Sequence, residues 1–338
     1  MFHTADEKQI KDGRVTDVYF ERTEKILKAK GIDKVVRAEC IAKGFPREWP
    51  WAVFAGAEEC ANLLRDLPLD IRMMNEGTVF HPYEPVIEIR GKYLDFCRYE
   101  TALLGLICQA TGVATMAARC RKAAGKRQVI SFGARRMHPA IVPMVDEVIE
   151  PEVGRVSLID TFNDEKIEAL NVARALGKNL FGIRLDTPGS RRGDFLRIME
   201  EVRWELDLRG FGHVRLFLSG GMDEHRILEY NALADAYGVG TAISNAPVVD
   251  FSMDIIEIDG QPVAKRGKMS GSKHVFRCRR CFDTVVTPAR QRTFTCECGG
   301  RREELLKTLF QEGVLKKKLP EPADIRKYVL KQLEKFEL

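Results

Sequence analysis

Between Val156 and Thr241 one pattern repeats, and it leaves few folds open to the chain. A short apolar run ends in a charged or glycine-containing turn, and a helical pattern follows. Val156-Ser157-Leu158-Ile159 ends at Asp160-Thr161, before a helix from Asp164. Leu180-Phe181-Gly182-Ile183 ends at Arg184-Leu185-Asp186-Thr187, before a helix from Asp194. Val214-Arg215-Leu216-Phe217-Leu218 ends at Ser219-Gly220-Gly221, before a helix from Asp223. Tyr237-Gly238-Val239-Gly240-Thr241 closes the series as a further strand end. Units recurring roughly every 20 to 35 residues have the rhythm of repeated βα units on a parallel sheet. Such sheets place function at the carboxyl ends of their strands, where these turns fall.

The flanks read differently. Before about residue 100, helices (Val18–Lys30, Glu58–Arg65) mix with a strand over Val86–Tyr93 that is expected to turn at Gly91. A long, largely buried helix is expected from Tyr99 to about Ala124. After the repeats, Asp254–Val263 reads as a strand, an Asp-Gly turn and a second strand. A cysteine-containing stretch follows, then a charged helix from Pro322. The length of 338 residues suits two or three domains. The divisions expected are an N-terminal α/β domain over 1–110, completed by part of the C-terminal segment; a βα barrel over 111–255; and a C-terminal segment over 256–338.

Neither a membrane span nor an export signal is expected. The polar, acidic start from Met1 lacks a basic region followed by an apolar one. The longest uncharged stretch, Thr101–Ala118, contains Gln109, three Thr and two Gly, and reads as a buried helix. Nine cysteines in such a chain indicate reduced thiols or metal, and a cytoplasmic protein.

Four of them are patterned. Cys278-Arg279-Arg280-Cys281 and Cys296-Glu297-Cys298-Gly299-Gly300 are two close pairs, which suit one tetrahedral zinc ion. A closed four-thiolate site has no open position for substrate, so a structural zinc knuckle over 278–298 is expected. The other five (Cys40, Cys60, Cys97, Cys108, Cys120) read as small core residues. The net charge of +5 is concentrated here: Ala264–Lys318 holds fifteen Lys/Arg against five Asp/Glu. That surplus keeps a zinc-dependent nucleic-acid-binding reading open, although aromatic interleaving is sparse.

The late glycine turns, Gly220-Gly221 and Gly238-Val239-Gly240, suit a phosphate held by backbone N–H groups. The carboxylates Asp160 and Asp186 suit sugar hydroxyls or Mg²⁺. Ser131-Phe132-Gly133-Ala134-Arg135-Arg136-Met137-His138-Pro139, after the strand-like Gln128-Val129-Ile130, offers a ring, two guanidiniums and an imidazole. Those groups suit a flat anionic ligand.

Taken in order, these strings resemble nicotinate phosphoribosyltransferase, in particular its zinc-containing archaeal and bacterial form with the type II phosphoribosyltransferase fold. Asp17-Val18-Tyr19-Phe20-Glu21-Arg22-Thr23, Tyr99-Glu100-Thr101, Asp160-Thr161-Phe162-Asn163-Asp164-Glu165-Lys166 and Lys265-Arg266-Gly267-Lys268-Met269-Ser270-Gly271 extend the match from near the start to the C-terminal tail. The resemblance implies an N-terminal α/β domain with an irregular βα barrel, working as a homodimer or larger homo-oligomer with shared sites. It implies the joining of nicotinate to phosphoribosyl pyrophosphate with Mg²⁺, giving nicotinate mononucleotide and pyrophosphate. Phe132 would stack on the pyridine ring, and Tyr19 of a second subunit would cover the other face. Arg135 or Arg184 would pair with the carboxylate. Arg184, Asp186 and Asp160 would form the reacting centre. The turns at Gly220-Gly221 and Gly238-Val239-Gly240 would cradle the 5′-phosphate, Ser219 and Thr241 beside them would also bind substrate, and His138 would line the site.

One departure stands out. After Pro143-Met144-Val145-Asp146 the family runs through a Gly-rich stretch and a Gly-Thr-Met-Pro-His segment. Here the chain goes directly to the Val156 strand, so one or two βα units are missing near 147–152. Either the 338 residues skip a stretch of a longer chain or the deletion is real; an intact mass well above 38.3 kDa would indicate the former. The missing histidine is the one associated with ATP coupling in this family, so ATP use stays open. Quinolinate phosphoribosyltransferase, which shares the fold and also decarboxylates, is the nearest alternative. An inactive relative is another.

Overall fold

A computed structural model describes residues 2–143, 155–186, 194–265 and 267–338. The expected gap near 147–152, and Met144, Val145, Asp146, Thr187 and Arg266 of the quoted strings, lie outside the described residues. The first part of the chain supplies α1 (Glu7–Lys11), α2 (Val18–Ala29), β1 (Val35–Ala42), β2 (Ala52–Val53) and α3 (Ala57–Leu64). It continues with β3 (Asp70–Met73), β4 (Val79–Phe80), β5 (Ile87–Lys92), α4 (Tyr93–Phe96) and the long α5 (Glu100–Ala123). The middle supplies β6 (Gln128–Ser131), β7 (Val156–Leu158), α6 (Glu165–Leu176), β8 (Gly182–Leu185) and α7 (Phe195–Leu208). After these come β9 (Arg215–Leu218), α8 (Glu224–Tyr230), β10 (Ala236–Val239) and α9 (Thr241–Ser244). The last part supplies β11 (Phe251–Ile258), β12 (Gln261–Pro262), β13 (Lys273–Cys278), β14 (Thr284–Pro288), β15 (Arg302–Glu304), β16 (Lys307–Gln311), β17 (Val314–Leu315) and α10 (Pro322–Leu333).

These elements divide into two compact units. One joins the residues up to Gly112 with Pro247–Glu337, and the other is Val113–Ala246. In the first, a seven-stranded antiparallel sheet runs in the order β12-β11-β1-β5-β3-β16-β17. Its alternation is strict where it matters. Ala38 lies opposite Ile89 and Cys40 opposite Ile87, all buried. On the other face Arg37 pairs with Glu88 and Glu257, and buried Glu39 takes Lys273 on both carboxylate oxygens at 2.9 Å. Burial pushes the Glu39 carboxyl up and the Lys273 ammonium opposes it. Gly91 is not a turn. β5 continues to Lys92, and a Cβ at Gly91 would lie 2.4 Å from Leu69 Cδ2, so glycine there serves close packing.

The C-terminal helix closes this unit. Gln332, buried, accepts the Val79 N–H at 3.0 Å and donates to the Gly77 carbonyl at 2.8 Å. The Arg277 guanidinium donates to the same Gln332 at 3.1 Å. The stretch Tyr93–Ala123 is long and apolar enough to cross a membrane by length and composition. Leu103, Ile107, Val113, Met116 and Cys120 along it are buried in the protein, as in an ordinary core helix.

The second unit is built from the repeats. Its five strands are all parallel, in the order β6-β10-β9-β8-β7. The three aspartates that open the expected helices each cap one: Asp164 accepts from Lys166 N, Asp194 from Leu196 N, and Asp223 from His225 N and Arg226 N. The described residues form an open sheet, with β6 and β7 at its edges. All five carboxyl ends lie along one edge.

Candidate functional site: the strand ends and the cysteine cluster

Along that edge the strands end, in spatial order, at Phe132, Gly240, Ser219, Asp186 and Asp160. Phe132 extends β6, donating its N–H to Val239 O at 2.9 Å. Its ring lies against β10 because position 238 is glycine: a Cβ there would come within 2.1 Å of the ring. The Arg184 guanidinium lies 4.7 Å from the Phe132 ring centroid. β8 and β6 are separated by two strands, about 14 Å apart in a flat sheet. The two side chains therefore meet over the sheet face and put an aromatic ring and a cation at one point.

Next to them is a compact polar group. The Asp186 N–H donates to Asp160 Oδ2 at 2.6 Å, which ties β8 to β7 beyond their last ladder bond. The Ser219 hydroxyl donates to Asp186 Oδ1 at 2.5 Å, and Arg184 lies 3.5 Å from Asp186 Oδ2. Gly220 and Gly221 adopt φ of +88° and +73°, a backbone that side-chain-bearing residues rarely take. Gly240 is the cap of α9, with Thr241 as its first residue.

Two arginines attend these turns. Arg136 donates to Phe132 O at 3.2 Å, and its Nη1 lies 3.0 Å from where a Gly240 Cβ would sit. Arg226 Nη1 lies 3.5 Å from the equivalent point at Gly221, and its side chain makes no hydrogen bond or ion pair with another described residue. Neither belongs to the residues singled out from sequence. Arg136 stood inside a quoted string. Arg226 had one available signal, its place one turn of helix after a Gly-Gly strand end.

Of the remaining expected site residues, Arg135 is exposed. His138 is exposed too, and its Nδ1 accepts the Ala140 N–H at 3.2 Å, capping a short turn. Tyr19 belongs to the first unit, on α2, and is 52% exposed, with its ring centroid 4.0 Å from that of Phe20.

The four patterned cysteines form the second centre. Their sulfurs all lie within 4.8 Å of one another, at 3.5 Å for 278–298, 3.4 Å for 281–298 and 3.6 Å for 281–296. Four thiolates ~2.3 Å from a shared ion would stand about 3.8 Å apart, so the spacing fits a tetrahedral metal site. Gly300 allows this approach, since a Cβ there would lie 2.5 Å from Cys278 Sγ. Arg302 donates to Cys296 Sγ at 3.4 Å and to Asp283 at 2.6 Å, and the Arg280 N–H donates to Cys278 Sγ at 3.4 Å. Such donors offset the charge of four thiolates around a divalent ion. Other local arginines are also engaged within the unit: Arg279 pairs with Glu303, and Arg277 is buried and donates to Gln332. Much of the local basic surplus thus has an internal use.

Comparison with known proteins adds the family. The model of the quinolinate phosphoribosyl transferase N-terminal domain matches residues 17–111, and that of its C-terminal domain matches 146–254. A nicotinate-nucleotide pyrophosphorylase of Pyrococcus furiosus has a solved structure that superposes with a TM-score of 0.96 at 45% identity, covering 100% of this chain and 99% of that one. Human nicotinic acid phosphoribosyltransferase superposes with a TM-score of 0.74 at 17% identity over 95% of this chain and 94% of that one, a likeness of fold. Among curated proteins, a nicotinate phosphoribosyltransferase of Mycobacterium tuberculosis is 26% identical over 280 residues, 64% of this chain. The chain spans 61% of that relative's length.

Proposed function

Since the chain belongs to the quinolinate phosphoribosyl transferase family, we propose that it transfers the phosphoribosyl group of phosphoribosyl pyrophosphate to nicotinate. The observation that carries this reading is the Arg184 guanidinium beside the Phe132 ring, next to Asp186 and two glycine turns. A planar ring with one carboxylate matches an aromatic face and a cation placed together. This favours Arg184 over the exposed Arg135 as the carboxylate partner. Tyr19 of a second subunit covers the ring in the same reading, which takes the protein as a cytoplasmic homodimer or larger homo-oligomer built on an irregular βα barrel.

The pyridine nitrogen attacks C1′ of the ribose. The bond from C1′ to the pyrophosphate oxygen breaks, and pyrophosphate leaves with the electron pair. The nitrogen needs no proton removed, so the residues work by positioning and by charge. Asp186 and Asp160 face the positive charge that develops on the sugar. The amides of Gly220, Gly221 and Gly240, with Arg136 and Arg226, hold the 5′-phosphate, and Thr241 and His138 line the site. Hard carboxylate oxygens of the kind Asp160 and Asp186 carry suit Mg²⁺, which when bound neutralises the leaving pyrophosphate. The Cys278, Cys281, Cys296 and Cys298 thiolates hold zinc as a structural ion.

Quinolinate is the second reading, favoured by the two matched domain models. Turnover of labelled nicotinate and labelled quinolinate with phosphoribosyl pyrophosphate and Mg²⁺, with and without ATP, separates the two. Mononucleotide from nicotinate without release of carbon dioxide supports the proposal. Mononucleotide from quinolinate with carbon dioxide overturns it in favour of the second reading. No product from folded protein overturns both and leaves an inactive relative.

A further inference from the structure

We infer that Ser219 is a positioning residue for the Asp186 carboxylate and not a ligand of the phosphate, an inference that rests on the phosphoribosyl-transfer reading above. The sequence puts Ser219 at the head of a Ser-Gly-Gly turn, where a hydroxyl suits a phosphate. The structure gives that hydroxyl another use. Ser219 is 1% exposed, and its hydroxyl lies 2.5 Å from Asp186 Oδ1 and 3.4 Å from Leu185 O, so the much shorter contact takes its single O–H proton. A serine has one proton to donate, and a phosphate dianion only accepts. Donation to the phosphate would therefore take the proton away from Asp186.

The side chain is also held in place. The Ser219 N–H donates to Leu185 O at 2.8 Å, and its Cβ lies 2.9 Å from where a Gly238 Cβ would be. β10 thus packs against it on one side and β8 binds it on the other. Gly220 and Gly221 then turn the chain with positive φ, and in the proposed reading their amides, not the Ser219 hydroxyl, face the phosphate. Asp186 is fixed at three points: its N–H by Asp160, Oδ1 by Ser219, and Oδ2 beside Arg184. Of these, Ser219 alone is neutral, and among the described residues its hydroxyl hydrogen-bonds to the carboxylate and to a backbone carbonyl. It sets the orientation of Asp186 without changing the charge of the site.

The test splits kcat from KM. For Ser219→Ala, kcat should fall about tenfold while KM for phosphoribosyl pyrophosphate stays within about twofold. Arg226→Ala serves as the phosphate-side contrast, with KM raised about tenfold and kcat nearly unchanged. In an Asp186→Ala background, Ser219→Ala should have no further effect, because the oxygen that its hydroxyl binds is gone. Calorimetric titration with nicotinate mononucleotide gives a readout apart from turnover: Ser219→Ala should bind it as the parent does, and Arg226→Ala more weakly. Ser219→Cys leaves no cavity and keeps a weak donor, and should lose less than Ser219→Ala if the alanine variant folds poorly. A KM or product-affinity loss in Ser219→Ala matching that of Arg226→Ala would make Ser219 a phosphate ligand. Multiplicative losses in the double variant would equally overturn the inference. A parent enzyme that converts neither nicotinate nor quinolinate would overturn the underlying reading instead.

Discussion

In the first unit four thiols separated by at most 20 residues of chain converge within 4.8 Å. In the second, Phe132, Asp160, Arg184, Ser219 and Gly240 are spread over 108 residues, and parallel topology alone aligns their strand ends. Holding a metal ion, the cysteine cluster would cross-link adjacent turns at the end of β13, beside β15. The strand-end groups sit above a core of Ile159, Ile183, Leu185, Leu216 and Leu218 that is packed without them. The difference teaches that, on the proposed reading, stability and activity should come apart: the first centre is expected to carry stability and the second chemistry.

The largest expected effect tests the second half of that statement. Asp186→Asn and Arg184→Ala should each lower kcat/KM by roughly 10² to 10⁴, on the order of 3–5 kcal/mol of transition-state stabilisation. Both side chains are about a third exposed, so the thermal midpoint should move little. A parallel collapse of the midpoint would break the comparison, because it would make the strand-end cluster part of the core. The next effect tests the first half. Cys296→Ser, or removal of the metal by a chelator, should cost about 4 kcal/mol or more in unfolding free energy. Activity per folded molecule should be kept. Elemental analysis should give one zinc per chain in the parent and less in the variant, and full zinc content in Cys296→Ser would remove the four-thiolate assignment.

What could be read from the sequence follows the same division. The cysteine pairs were legible because the ligands of a tetrahedral site need short spacings and a glycine turn, and both are local. The parallel sheet was legible because three of the five strand ends are followed by an aspartate that caps the next helix, at Asp164, Asp194 and Asp223. Which strand-end groups touch was not legible. Strand order is set by how β6, β10, β9, β8 and β7 pair, and nothing near Phe132 in sequence announces that Arg184 reaches its ring. Gly91 shows the converse limit. Glycine in a strand marks a turn or a close approach with the same letter, and only the Leu69 side chain beside it decides.

Two glycines in the second unit sharpen the comparison at smaller magnitude. Gly238→Ala drives a methyl to within 2.1 Å of the Phe132 ring, and Gly182→Ala drives one to within 2.6 Å of the Phe217 ring. Both should cost about 1–3 kcal/mol in stability through overpacking. Gly238→Ala alone displaces the proposed pyridine platform, so it alone should raise KM for nicotinate, by about tenfold. Equal kinetic effects from the two would mean that Phe132 has no special place in the site.

The smallest effect belongs to the first unit and is read through pH. The Glu76 carboxylate accepts the N–H groups of Gly56 and Ala57 at the start of α3, at 2.8 and 2.6 Å. Burial outweighs those donors and lifts the carboxyl to about 7, from an ordinary value of 4.5. The folded protein therefore keeps a proton that the unfolded chain releases between these two values. The stabilisation is fully present below pH 4.5 and is lost as pH rises through 7, by at most about 3 kcal/mol. Glu76→Gln cannot ionise, so urea unfolding of that variant should lose this part of the decline between pH 5 and 8. An unchanged slope would place the titrating group elsewhere. Because Glu76 lies among the scaffold residues and not at the strand ends, kcat in Glu76→Gln should keep the parent's pH profile while the stability profile changes.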